Sequence, residues 1–226
     1  MQPTCRYSVD RDAPAQCLTF DHRPRVAAAT LYVSKGNYVN RKQSADIKNK
    51  SMGWEEFKAW SETLFKDRQL EKCWGYQIQP GTKWNPGLSP SQIHDLEKVF
   101  GFEFPDEYKR MLSALNGFDR DKIAIDPDQV EASEFSRQCY QYPENLDNVQ
   151  WLITEIAEHI DYVKEALSSA GFEAENVIGF VPLYAHRALA VFKDKSLTPV
   201  ISIHQGTDVI VYGKSLMEYW LRELST

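Results

Sequence analysis

From residue 54 onward the apolar positions fall into helical register. Trp54, Phe57, Trp60 (or Ser61) and Leu64 recur at intervals of three and four, with Phe65 alongside, while Glu55, Glu56, Lys58 and Glu62 face away. This spacing predicts an amphipathic helix over 53–66 whose aromatic side docks on the rest of the chain. CWGYQIQPGTKWNPGLSPSQ (73–92) follows, rich in Gly, Pro and Trp. It predicts an ordered connecting loop with Trp84 packed on the body. Ser89 as N-cap, Pro90 at the first helical position and Gln92 as capping-box partner open a second helix. Its stripe is Ile93, Leu96, Val99 and Phe100, and Gly101 ends it as a left-handed residue. GFEFP then turns the chain, with Phe102 and Phe104 as wedges. Pro105 starts a third helix, Asp106 and Glu107 suit its dipole, and Tyr108, Met111, Leu112 and Leu115 form its stripe. Asn116-Gly117 is expected to close it.

KIAIDP (122–127) predicts a short strand. Leu146 to Ala170 predicts one long helix, with Val149, Leu152, Ile153, Ile156, Ile160, Val163 and Leu167 inward and Gly171 as its stop. The period then changes. NVIGFVPLY (176–184), RALAVFKD (187–194), PVISIH (199–204) and DVIVYG (208–213) are alternating or fully apolar β-branched runs, predicting an antiparallel meander. Ser215, with Glu218 three residues on, caps a last helix that buries Leu216, Tyr219, Trp220 and Leu224. Helices first and contiguous strands later define an α+β fold. A sheet of about four to six strands, antiparallel or mixed, is expected with helices packed on one face.

Charge divides the chain in two. Residues 1–51 hold nine Lys/Arg and four Asp/Glu, a net of +5, and show no sustained period. The remaining 17 bases and 28 acids of 52–226 give −11. The abrupt change at Met52 marks 1–51 as a disordered or over-long translated leader and 52–226 as one domain. VAAATLYV (26–33) is too short and too late for a secretory signal. The acidic part disfavours nucleic acid, which demands clustered Lys and Arg, and favours a basic protein partner through long-range steering. No apolar run reaches the roughly 18 residues that cross a bilayer, so no membrane partner is expected. Cys5, Cys17, Cys73 and Cys139 form no CxxC pair. Reduced thiols in a cytoplasmic protein are the expectation, with Cys139 structural.

Candidate chemistry changes this picture little. Asp119, Asp121, Asp126 and Asp128 suggest a calcium loop, but Ile123 stands at the third ligand position and Ala124 where the Gly is required. His159 lies beside an apolar stripe with no ligand four residues away. His186 and His204 flank predicted strands and can meet in space, without an acid or nucleophile beside them in the sequence. There is no GxSxG, no HExxH and no phosphate-binding Gly loop. No metal, no cofactor and no enzymatic activity are expected.

Two blocks, GLSPSQIHDLEKVFGFEFPDEYKRMLSALNGFD (87–119) and NVIGFVPLYAHRALAVFKDKSLTPVISIHQGTDVIVYGKSLMEYWLREL (176–224), resemble the SUKH superfamily. That superfamily takes in the fungal Knr/Smi-type cell-wall regulators and many bacterial proteins. The likeness is carried by Phe104, Pro105, Tyr108, Lys109, Leu112, Asn116 and Gly117, then by Pro199, Val200, Asp208, Tyr212, Gly213, Ser215, Leu216 and Tyr219. It spans roughly 84–224. It implies an α+β domain without a catalytic centre. Bacterial members look like immunity proteins that bind and block polymorphic toxins; fungal members look like regulatory scaffolds in cell-wall signalling. The compact 52–226 segment favours the immunity function, with a basic toxin domain, such as a nuclease, as the partner; the scaffold is the alternative. Charge and loop position place the partner-binding residues at Asp119, Asp121, Asp126, Asp128 and Glu131 and at the strand ends near His186 and Arg187.

Overall fold

The first helix, α1 (Trp54–Lys66), buries Trp54, Phe57, Ser61 and Phe65, so the stripe runs through Ser61 and leaves Trp60 half-buried. The computed structural model describes residues 52–70, 75–125, 133–135, 139–204 and 206–225. All of them fall in one compact unit. The leader and its proposed boundary lie outside the described residues.

The expected loop after α1 contains two short strands, β1 (Gly75–Gln77) and β2 (Trp84–Pro86). Trp84 is core: it lies 4.4 Å from Phe118 and 5.3 Å from Trp220, ring to ring, and its indole N–H donates to buried Ser61 Oγ at 2.8 Å. The second helix, α2 (Pro90–Phe100), starts on the expected Ser89/Gln92 capping box and ends on Gly101 at φ +78°. Ile93 and Leu96 are buried, but Val99 is 64% exposed.

The third helix, α3 (Asp106–Ala114), stops one residue before its predicted stripe ends. Leu115–Phe118 is a strand, β3, paired with β2, so Asn116-Gly117 does not close a helix. Asn116 is buried, and its amide clamps a neighbouring backbone. It donates to Tyr142 C=O at 2.6 Å and accepts from Tyr142 N–H at 3.0 Å. Gly117 has φ +75°, and a Cβ there would come within 2.7 Å of Gln141 Cβ. The Asn-Gly pair is therefore selected by a two-pronged amide contact and a close backbone approach. Strand β4 (Lys122–Ile125), as predicted, pairs with β1 and with β5 (Ser133–Phe135).

The long helix predicted over Leu146–Ala170 is two helices after a single 3-10 turn at Asp147–Val149. They are α4 (Gln150–Glu158) and α5 (Ile160–Ser169), broken at His159, whose ψ of 28° leaves the helical region. The stripe continues across the break, which is why periodicity alone did not reveal it.

The meander forms as expected: β6 (Val177–Tyr184), β7 (Arg187–Phe192), β8 (Val200–His204) and β9 (Asp208–Gly213) make one antiparallel sheet in that order. The last helix, α6 (Leu216–Ser225), follows. Ser215 Oγ accepts from Glu218 N–H at 3.2 Å, while the Glu218 carboxylate accepts from Lys214 N–H at 3.1 Å. Glu107 of α3 accepts from Met217 N–H at 3.3 Å and from the Thr198 hydroxyl, tying α3 to the first turn of α6.

Strand alternation decides the layering. Leu189, Val191 and Val200 join the aromatic core built by α1, α2, α3 and α6. Ala188, Ala190, Phe192, Ile201 and Ile203 join a second core with Leu152 and Ile156 of α4 and Val163 and Leu167 of α5. The expected helical layer covers one face, and a second covers the other. Burying large side chains such as Phe57, Trp220 and Phe192 contributes on the order of 2–3 kcal/mol of transfer free energy each.

Candidate functional site

The β6–β7 hairpin brings His186 and Arg187 to one end of the sheet. Its two-residue tip is Ala185-His186, and Ala185 takes φ +47°, a conformation glycine or asparagine adopts far more readily. The tip is held by Tyr140, whose hydroxyl donates to Ala185 C=O at 2.8 Å. The β8 end meets it there: Ile203 N–H donates to His186 C=O at 3.1 Å, and the rings of His186 and His204 stand 5.3 Å apart.

Arg187 opens β7 on the side shared by Leu189 and Val191, so its guanidinium is directed at α6. Its Nε lies 3.5 Å from Glu223 Oε2, with side chains only 14% and 12% exposed. A half-buried cation at this depth demands a counter-charge, and Glu223 supplies it. Arg187 also lies over the Tyr212 ring at 4.6 Å and touches the His186 ring. Arg222 lies over the same tyrosine at 4.3 Å and donates to its C=O at 2.9 Å. Beneath them, the hydroxyl of Tyr219 and the indole N–H of Trp220 are buried with no hydrogen-bond partner among the described residues. Burial is the first cause holding the Tyr219 phenol well above its usual range, with the nearby Glu223 charge second.

Lys122 completes the cluster from β4. Its ammonium sits 4.1 Å above the Tyr184 ring. Burial pushes its pKa down to about 8; the charges of Arg68 and Arg187 push the same way and Glu223 opposes them. Cys139 lies close by, buried in an isolated bridge to Tyr184, and burial pushes its thiol far above the usual range. A thiol so placed is not a nucleophile at neutral pH.

The acidic loop is divided by the structure. Asp119 accepts from Lys83 N–H at 2.8 Å and returns its own N–H to Lys83 C=O at 2.9 Å, fixing the end of the β2–β3 pair. The backbone carbonyl of Asp121 accepts from Gln79 Nε2 at 2.7 Å. Asp126, Asp128 and Glu131 lie outside the described residues. The link between Asp119/Asp121 and His186/Arg187 is Lys122, which the sequence did not single out; Arg222 and Glu223 were missed as well, and Tyr212 stood out only for the family likeness. A signal existed for Glu223. Alternation puts Arg187 on the same side as Leu189 and Val191, and an inward arginine implies an acid on the helix above it. Among the described residues, no three His, Cys, Asp or Glu side chains gather where they could hold a metal ion, and no helix is long and apolar enough to cross a membrane.

No protein-family model matches this chain, and comparison with curated proteins gives no match. The cluster therefore has to be interpreted from its own chemistry. It offers two guanidiniums on a tyrosine, a lysine on a second tyrosine and two adjacent imidazoles. Of these side-chain types, Arg and Tyr are the ones enriched among the anchors of protein interfaces in general.

Proposed function

We propose that this protein is a non-catalytic binding protein that neutralises a partner protein, as the resemblance to immunity proteins implies. The observation that carries this reading is the Arg187–Tyr212–Arg222 assembly, in which Glu223 pairs with the mostly buried Arg187 while Arg222 lies exposed on the Tyr212 ring. Arg and Tyr are enriched where truncation costs most binding energy, and here they are ordered before any partner arrives. The net −11 of residues 52–226 supports a basic partner, such as a nuclease toxin domain, through faster encounter at low salt.

The test is inhibition. The C-terminal domain of a toxin encoded beside this gene is expressed, and its activity is titrated with the full-length protein. Stoichiometric loss of activity is expected, and the Arg222→Ala variant should weaken inhibition by about tenfold or more. Undiminished toxin activity at a large excess of the protein overturns the immunity reading.

A further inference from the structure

Four apolar residues of the helices and of β6 are left partly or mostly uncovered. Val99 is 64% exposed, Ile178 is 38% exposed, and Ile153 and Ile160 are only half-buried. These four do not scatter. Val99, Ile153 and Ile160 line one groove of about 530 Å³, whose walls are the end of α2 and one face of α4 and whose floor is Gly179 and Phe180 of β6. A second hollow of about 290 Å³ shares Ile160, Gly179 and Phe180 and adds Ile178. The apolar surplus of four separate elements, α2, α4, α5 and β6, thus converges on one trough.

The floor of that trough is a sheet edge. Strand β6 is outermost in the order β6-β7-β8-β9, and its far end is met by the Tyr184–Cys139 bridge, the Tyr140–Leu183 hydrogen bond and the Tyr142 hydroxyl, which donates to Pro182 C=O. Gly179 keeps the floor low, since an added Cβ would overlap the Phe102 ring that rests on it. Apolar side chains left half-exposed beside an open strand edge mark an interaction surface.

Charge names the occupant. From Glu144 to Glu175 the chain has eight acids and one lysine. Glu144, Asp147, Glu158, Asp161, Glu165, Glu173 and Glu175 are exposed. Asp147, Glu158 and Asp161 each adjoin a groove-lining residue in sequence and form no ion pair among the described residues, while Glu175 lines the second hollow together with its ion-pair partner Lys164, 3.3 Å away. We infer that this trough is a docking groove for an amphipathic basic segment of a protein partner, which enters apolar face down with its Lys and Arg toward the α4–α5 wall. Apolar contact supplies affinity, and the acidic wall supplies selection and on-rate. The inference rests on the binding-protein reading and gives its basic partner a place to sit.

The experiment uses the full chain, isotope-labelled, and two synthetic helical peptides. Both carry Leu at every third or fourth position; one has Lys at the remaining positions and the other has Glu. The Lys peptide should shift amides of Ile178, Gly179 and Phe180 and of α4, and the Glu peptide should bind about tenfold more weakly or worse. The double variant Val99→Ser/Ile178→Thr should weaken the Lys peptide by about tenfold. Glu158→Gln/Asp161→Asn should steepen neither fold nor shape but reduce the preference for Lys over Glu. Equal binding of the two peptides, or shifts confined to other surfaces, overturns the proposal. So does self-association that protects these amides and is abolished by Val99→Ser/Ile178→Thr, because the occupant is then a second copy. No toxin enters this test. A groove that selects the Lys peptide while the toxin stays active retires the immunity reading and leaves the groove standing.

Discussion

The two ends of β6 contrast in kind. Near Tyr184 the strand runs into a cluster of charges and rings whose members engage one another: Arg187 with Glu223 and Tyr212, Arg222 with Tyr212, Lys122 with Tyr184. Near Ile178 the same strand borders apolar side chains that engage little. The first end has its interactions inside the fold, so disturbing it disturbs stability. The second has apolar surface left over, so disturbing it should leave stability alone and change what binds. At the groove, binding can therefore change without stability, whereas at the Arg187–Tyr212–Arg222 end the two should change together. The eight residues of β6 put the ends about 23 Å apart at the rise of an extended strand. One interface of standard size, about 800 Å² per partner, is wide enough to reach both.

The comparison breaks most visibly at Glu223. Replacing it with Ala leaves the Arg187 guanidinium half-buried beside Tyr219 and Trp220 without its counter-charge. We expect a loss of about 2–3 kcal/mol in urea unfolding at pH 7, toward the low side for buried pairs because both partners retain some exposure. A loss no larger than a surface substitution gives would mean that the cluster is loosely held and contributes nothing to the fold.

Lys122 sharpens the contrast through pH. Its folded-state pKa of about 8 lies below its usual 10.5. Below about 8 the lysine is charged in both folded and unfolded chains, and the cost of burying that charge is present in full. Between about 8 and 10.5 the folded protein sheds the proton while the unfolded chain keeps it, so this group's contribution to stability improves as pH rises. Lys122→Met keeps the volume and removes the charge. It should stabilise by about 1–2 kcal/mol at pH 7, a figure discounted from the full shift because the ammonium is half-buried. That advantage should shrink between pH 8 and 10. Paired unfolding curves of the two proteins across this range check both statements. A constant difference would place Lys122 in solvent.

How much of this was legible in the sequence depends on what each signal encodes. The α+β class, the α2 capping box and the meander were legible because caps and strand alternation are local. The break at His159 was not, because the apolar stripe stays in phase across it. Asn116-Gly117 carried the residue types of a helix stop, yet its amide serves the Tyr142 backbone 26 residues away, a contact no local pattern carries. For the candidate site, His186 and Arg187 were placed by their strand-end position, while Glu223 and Tyr212 required knowing which helix lies over Arg187. The groove left a trace in the sequence: the stripes on 93–100 and 146–170 are wider than one core can bury. Val99, Ile153 and Ile160 look like core residues by period, and only packing shows that Val99 is exposed and that the two isoleucines are partly covered.

Tyr219→Phe tests the satisfied end at finer scale. Its hydroxyl is buried without a hydrogen-bond partner among the described residues, so deleting the oxygen removes a desolvated group and breaks no hydrogen bond to them. Stability should stay level or rise by up to about 1 kcal/mol. A loss of that size in thermal or urea unfolding would mean that the hydroxyl has a partner when the protein is in solution.

The smallest effect on stability belongs to the groove, and it is the one that decides whether the contrast is real. Val99 is mostly exposed and Ile178 is on an open edge, so Val99→Ser/Ile178→Thr removes little buried surface. The unfolding free energy should move by no more than about 0.5 kcal/mol, the ordinary range for surface substitutions. Glu223→Ala in the same series should fall several times further. If the groove pair instead costs as much as Glu223→Ala, its apolar residues are folding the protein and the trough is part of the core. If the pair is silent in stability and visible only in peptide binding, the two ends of β6 do different work: one offers a partner side chains that also keep the sheet end together, and the other offers apolar surface that the fold does not need.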